Sequence, residues 1–180
     1  MKIFGIDPGS ERTGYGCVET DGNRHRLLAC GTLAAPGGTP FPDRLLAIHL
    51  GLASLLAEHR PQCVAVENIF YARNVRSALK LGHARGVALL AASEAGVPIV
   101  EYAPAEIKRA VVGFGRAEKH QVGEMVRRLL SLDVLPGPHD VADALAVAIC
   151  HVHTSTGRLA EATRSERPAS RLRSWRQYQL

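Results

Sequence analysis

The sequence predicts a mixed α/β sheet covered by helices, and two observations predict it. Three short apolar runs with tight connections come first, which gives three antiparallel strands. Apolar runs then alternate with stretches of helical period, which adds parallel strands and brings the sheet to five. With 180 residues, 46% apolar and 22% charged, the chain has the composition of one ordinary globular domain.

Lys2 to Ile6 is the first strand, and it ends on the carboxylate of Asp7 before a turn rich in glycine. Thr13 to Glu19 and Arg26 to Leu33 follow as strands, joined by a turn around Asp21-Gly22-Asn23. After the loop Pro36 to Pro42, residues Asp43 to His59 carry a helical period, with Leu46, Leu50, Ala53 and Leu56 as inward candidates. Cys63 to Val66 is a buried strand closed by Glu67, and Val75 to Ala95 is a long Ala/Leu-rich helix stopped by Gly96. Val97 to Glu101 is the fifth strand. Pro104 opens a short helix to Val112, and Glu118 to Leu132 is another. Pro136-Gly-Pro138 breaks the chain before a last helix from Asp140 to His153. The domain is expected to span 1–154, with 155–180 as an Arg-rich flexible tail.

The charge pattern points to a polyanion. Net charge is +5, and 158–180 alone holds six arginines against two glutamates. From Asn68 to Ser93 there is no acid, while Arg73, Arg76, Lys80 and Arg85 fall there. A second basic set is Lys108, Arg109, Arg116, Lys119, Arg127 and Arg128. The alternative is a solvated basic face with no partner. The four scattered cysteines form no CxxC pair and read as reduced core thiols. No apolar run is long enough to span a membrane and no signal-peptide pattern is present, so a cytoplasmic protein is expected.

Four carboxylates carry the chemistry. Asp7 and Glu67 stand at the C-terminal ends of strands, where open α/β sheets place their ligand crevices. Asp140 and Asp143 lie three apart at the start of the last helix and share one of its faces. Each has a structural alternative, and Asp140 in particular is suited to the positive end of its helix. Asp143, however, sits within the small apolar run Ala-Asp-Ala-Leu-Ala-Val-Ala-Ile, where a lone charge is costly. A divalent-metal cluster explains all of them together. Gathered carboxylates repel, and a hard cation such as Mg²⁺ or Mn²⁺ removes that repulsion. Two such ions can activate a water and stabilise the leaving oxygen in phosphodiester hydrolysis. His139, next to Asp140, is a further candidate ligand or proton carrier.

The segments GIDPGSERTGYG, VENIFYARNVRSALKLGHARGVAL, EYAPAEIKRAVVGFGRAEKHQV and HDVADALAVAI resemble the RuvC family of bacterial Holliday-junction resolvases, in order and over about residues 1 to 153. The resemblance implies an RNase H-like fold and a homodimer that cuts four-way DNA junctions by paired symmetric nicks. It implies two Mg²⁺ ions per site, with Mn²⁺ as a substitute, held by Asp7, Glu67, Asp140 and Asp143. Some relatives carry histidine at the third position, so His139 stands beside Asp140 for that role. The family's DNA-contacting lysines fall on Lys108 and Lys119, and its junction-centre aromatic on Phe70. The segment after Glu67 adds Tyr71, Arg73, Asn74, Arg76 and Lys80 as DNA-binding candidates; an aromatic there can stack on an unpaired base. The resemblance also implies work alongside the RuvA and RuvB branch-migration proteins. The long helix after Val75, with Ala78, Leu79, Gly82 and Gly86, is a candidate dimer contact, the alternative being a helix packed on its own sheet.

Three rival readings remain at this level. An actin-like ATP-binding protein shares the strand-end Asp, but needs two such domains around its nucleotide. A non-catalytic nucleic-acid-binding domain leaves the gathered acids unexplained, since they repel phosphate without a metal. Another RNase H-like nuclease acting on RNA or linear duplex differs only in substrate.

Overall fold

A computed structural model describes residues 1–68, 74–134 and 137–165. Within them β1 (Lys2–Asp7), β2 (Arg12–Thr20) and β3 (His25–Ala34) form an antiparallel meander. Helix α1 (Phe41–His59) leads to β4 (Cys63–Glu67), and α2 (Val75–Glu94) to β5 (Ile99–Tyr102). Three helices complete the fold: α3 (Pro104–Val112), α4 (Lys119–Leu129) and α5 (His139–Ser165). The strand order is β3-β2-β1-β4-β5, with β4 parallel to both β1 and β5. This is the mixed five-stranded sheet that the sequence predicts, with helices on both faces.

Strand alternation divides the core in two. On one face Ile3, Val18, Cys63 and Ala65 pack under α3, α4 and α5. On the other, Phe4, Ile6, Cys17, Val64 and Val66 meet Ile48, Leu52 and Leu56 of α1 and the Ala88-Ala91-Ala92 row of α2. Each fully buried Phe, Ile or Leu among these contributes about 1.5–3 kcal/mol relative to exposure. All four cysteines are free thiols, and three are buried.

Two expectations are corrected. The inward row of α1 is Ile48, Leu52 and Leu56, whereas Leu46 and Leu50 are 55% and 58% exposed. This helix is apolar around most of its circumference, so periodicity alone selects no face. The last helix also runs to Ser165, twelve residues past His153. Extending an existing helix costs far less than starting one, and Arg-Leu-Ala-Glu-Ala at 158–162 favours it. Smaller differences lie at the ends of α1, α4 and β5, within two or three residues.

Candidate active site

The parallel pairing of β1 with β4 aligns Ile6 with Val66, so Asp7 and Glu67 emerge side by side where the two strands end. Asp7 also pairs with Gly14 of β2 across the turn. That turn is pinned from within: the buried Thr13 hydroxyl donates to the Gly9 carbonyl at 3.1 Å. Glu67 in turn lies opposite Tyr102 of β5.

The other two acids arrive on α5, which crosses directly over β1 and β2. A Cβ at Gly14 would collide with the Asp140 carbonyl, and one at Gly16 with the Leu145 side chain. At Gly5 it would strike the α5 backbone at Ala144. Absence of side chains at these three positions lets the helix settle onto the sheet, and its first turn brings Asp140 and Asp143 over the strand ends. The positive end of the helix dipole favours carboxylates there.

The electrostatics are those of crowded acids. Burial, first, and the charges of Glu67, Asp143 and Asp140 raise Asp7 from 3.8 to about 8. Glu67 is also raised, mainly by burial, and its hydrogen bond with Asp7 works the other way. Burial thus favours the protonated form of both carboxyls, and their mutual hydrogen bond favours the proton on Asp7 with Glu67 accepting. Two cations answer the remaining charge. Lys119 Nζ donates to Asp143 Oδ2 at 2.8 Å, and the Arg12 guanidinium stands 3.8 Å from Asp140 Oδ2. The bond to Asp143 in turn raises the Lys119 ammonium above its ordinary value.

A cavity of about 360 Å³ opens between these groups, lined by Asp7, Glu67, Lys108, Lys119 and Asp143. The structure thus brings Lys108 and Lys119, distant in sequence from the strand-end acids, into the same space. His139 is exposed at the first residue of α5, and Asp140 is half-buried. Asn74 caps α2, its side chain accepting a hydrogen bond from the Ser77 amide at 2.8 Å. Arg76 and Lys80 are exposed on the first turns of α2. Phe70, Tyr71 and Arg73 lie outside the described residues. Arg12 was not singled out in the sequence, although a basic residue at the exit of the Asp7 turn was the available signal.

The donor set suits a hard divalent cation: four carboxylates and no thiolate, with Asp7 paying for its burial by keeping a proton that a cation would displace. Among the described residues no three His, Cys, Asp or Glu side chains are already drawn together around an ion position. Asp143 is turned to Lys119 and Asp140 faces Arg12, so metal would have to compete with those two cations.

A mixed sheet of this order, with acids at the ends of two adjacent parallel strands and a helix laid across it, places the chain in the RNase H-like class. Residues 3–151 match the family model for crossover junction endodeoxyribonuclease RuvC. The chain belongs to the RuvC family. It is 55% identical over 166 residues to the RuvC of Halorhodospira halophila, covering 92% of this chain and 98% of that one. The RuvC of Alkalilimnicola ehrlichii is 55% identical over 152 residues, covering 84% and 91%. Among solved structures, Thermus thermophilus RuvC superposes with a TM-score of 0.81 at 38% identity, covering 88% of this chain and 97% of that one. The same protein in complex with a Holliday junction substrate gives 0.80 at 37%, covering 87% and 96%. Nucleases of this family are metal-dependent.

Proposed function

We propose that this chain resolves four-way DNA junctions by paired symmetric nicks, and that Asp7, Glu67, Asp140 and Asp143 form its cutting centre. One observation carries the assignment: the two strand-end acids and Asp143 line a single cavity with Lys108 and Lys119, and Asp140 stands near enough for its charge to act on Asp7. The four acids would hold two Mg²⁺ ions, with Mn²⁺ as a substitute and His139 sharing the role of Asp140. Ions bound there supply a nucleophilic water and charge stabilisation at the leaving oxygen.

The chain's own groups do the rest. Glu67 and Asp7 sit on rigid strand ends, so the acid positions are fixed before substrate arrives. Lys108 and Lys119, on α3 and α4, reach over the same cavity and can hold the non-bridging oxygens of a phosphodiester. Phe70 and Tyr71 would stack on bases at the junction centre. Arg73, Asn74, Arg76 and Lys80 would contact the backbone, Asn74 in addition to capping its helix.

A homodimer with two such sites suits the two equivalent strands of a junction. Val75, Leu79, Gly82, Gly86 and Leu90 run along one stripe of α2, where Val75 is 76% and Leu79 60% exposed. Side chains added at Gly82 or Gly86 would meet open space, so a partner helix can come close. Action in the cytoplasm beside RuvA and RuvB belongs to the same reading; among the described residues no helix is long and apolar enough to cross a membrane. The cutting unit would be 1–154, with the Arg-rich segment beyond it accessory.

The test is cleavage of an immobile four-way junction against linear duplex and RNA, in Mg²⁺, Mn²⁺ or EDTA. Symmetric nicks in the junction alone, abolished by EDTA and by Asp7→Asn, are expected. Binding without cutting in either metal would favour the non-catalytic alternative, and equal cutting of duplex or RNA would overturn the junction substrate.

A further inference from the structure

Beside the acid cavity lies a larger groove of about 840 Å³, between the β1–β2 turn and the loop from β3 to α1. Gly9, Arg12, Gly37, Gly38, Arg44 and Asp140 line it, so it shares Asp140 with the cutting centre. Its two cations differ in their present engagement. Arg12 is held loosely, 3.8 Å from Asp140. Arg44 has its guanidinium 5.5 Å over the Phe41 ring, and its Nε is buried with no hydrogen-bond partner among the described residues. A guanidinium held by an aromatic face at the border of the groove suits a planar contact to phosphate oxygens through its terminal nitrogens, the buried Nε taking no part. On the wall formed by the loop from β3 to α1, Gly37 and Gly38 face open space, so no side chain fills the groove there. Glu11 also borders it, but is exposed, where water and salt screen its charge.

We propose that this groove is a second phosphate subsite, in which Arg12 and Arg44 receive a backbone phosphate of the same DNA strand, next to the bond being cut. The proposal rests on the nuclease reading above and deepens it. It also gives Arg12 a linked role. When Asp140 is drawn to a metal ion, Arg12 loses its partner and the groove becomes net cationic, so metal and DNA favour one another there. A phosphate contact of this kind sets register without reading sequence.

The experiment is junction binding by fluorescence anisotropy in Ca²⁺ across a salt series, for the full chain and for Arg12→Gln, Arg44→Gln and Gly37→Asp. Gly37 has an ordinary backbone, and a side chain there meets open space, so the aspartate adds charge without strain. This variant keeps the test valid if loss of the Phe41 contact unfolds Arg44→Gln. Each glutamine variant should lower affinity roughly tenfold at low salt and make the slope of log K against log salt shallower by about 1, whatever the junction sequence. Gly37→Asp should weaken binding too, while Arg44→Lys should recover most of the loss. Wild-type binding with unchanged affinity and slope in all three variants would overturn the subsite. If the wild type neither binds nor cuts junctions, the nuclease reading itself falls, and the subsite with it.

Discussion

Gly14 lies against the main chain of Asp140: a single methyl group at position 14 would occupy the space of the Asp140 carbonyl. Gly14→Ala should therefore push the first turn of α5 off the sheet. The expected cost is about 1–3 kcal/mol of stability, read by denaturant unfolding. Junction cutting should fall by about a hundredfold, because displacements of an ångström at a reacting centre cost that much. Gly16→Ala meets chiefly the buried Leu145 side chain rather than the α5 carbonyl that Gly14→Ala would strike, so it should cost stability but cut better than Gly14→Ala. Equal activity in the two would refute this account of the helix seat.

Asp7 gives the metal-free protein a pH dependence of definite sign. It ionises near 3.8 in the unfolded chain and at about 8 in the folded one. Between those values the folded chain holds the extra proton, so this contribution is complete below the lower value and is lost as pH rises through the upper. In EDTA, Tm should fall by several degrees from pH 5 to pH 8. Asp7→Asn should show a shallower slope, the remainder coming from Glu67, whose shift has the same direction. Identical slopes for the two proteins would remove the protonated Asp7 from the account.

Lys119 separates stability from chemistry. Its ion pair with Asp143 is formed by a side chain 68% exposed, and such pairs contribute at most about 1 kcal/mol. Lys119→Met should thus unfold within about 1 kcal/mol of the wild type, yet cut junctions about a hundredfold more slowly, the scale for losing one electrostatic contact to a transition state. A variant that cuts normally would leave Lys119 as a surface residue.

His139 and Asp140 can be distinguished in the same assay. Asp140→Asn should lower cutting about a hundredfold or more, whereas His139→Ala should change it less than about tenfold, given its exposed position. The opposite ranking would move the third metal-ligand role to the histidine.

The α2 stripe is tested by Leu79→Asp. Because Leu79 is 60% exposed, the change should leave the fold of one chain within about 0.5 kcal/mol. Sedimentation should nevertheless show a monomer, and paired nicking should give way to slow single nicks. An unaltered dimer would place the interface elsewhere.

The strands and their acids were legible because a charge at the end of an apolar run is conspicuous along the chain. Asp7 and Glu67 stand out in this way, Asp143 stands out as a lone charge within an apolar helical run, and the alternation that sets five strands between helices is equally plain. What was not legible depends on three dimensions. The glycines after Asp7 signalled room for a close approach, but not that the approaching backbone is that of α5. Leu46 and Leu50 have the same apolar character as Leu52 and Leu56, and only packing against the sheet shows which row is buried. Arg12 pairs with an acid 128 positions away, which no local pattern could announce. The length of α5 escaped for a different reason: its polar continuation looks like tail until an established helix is there to extend.

The glycine seat under α5 also bears on how such a chain can diverge. Where helix and sheet meet main chain to main chain, the gauge between the strand acids and the helix acids is independent of which apolar residues fill the rest of the interior. Apolar exchanges there should then act on stability before they act on the spacing between the strand acids and the helix acids. The Thermus thermophilus protein shares only 38% of its residues yet superposes with a TM-score of 0.81. By this argument, variation in the lineage is cheap in the bulk of the interior and expensive at a few positions that carry no side chain at all.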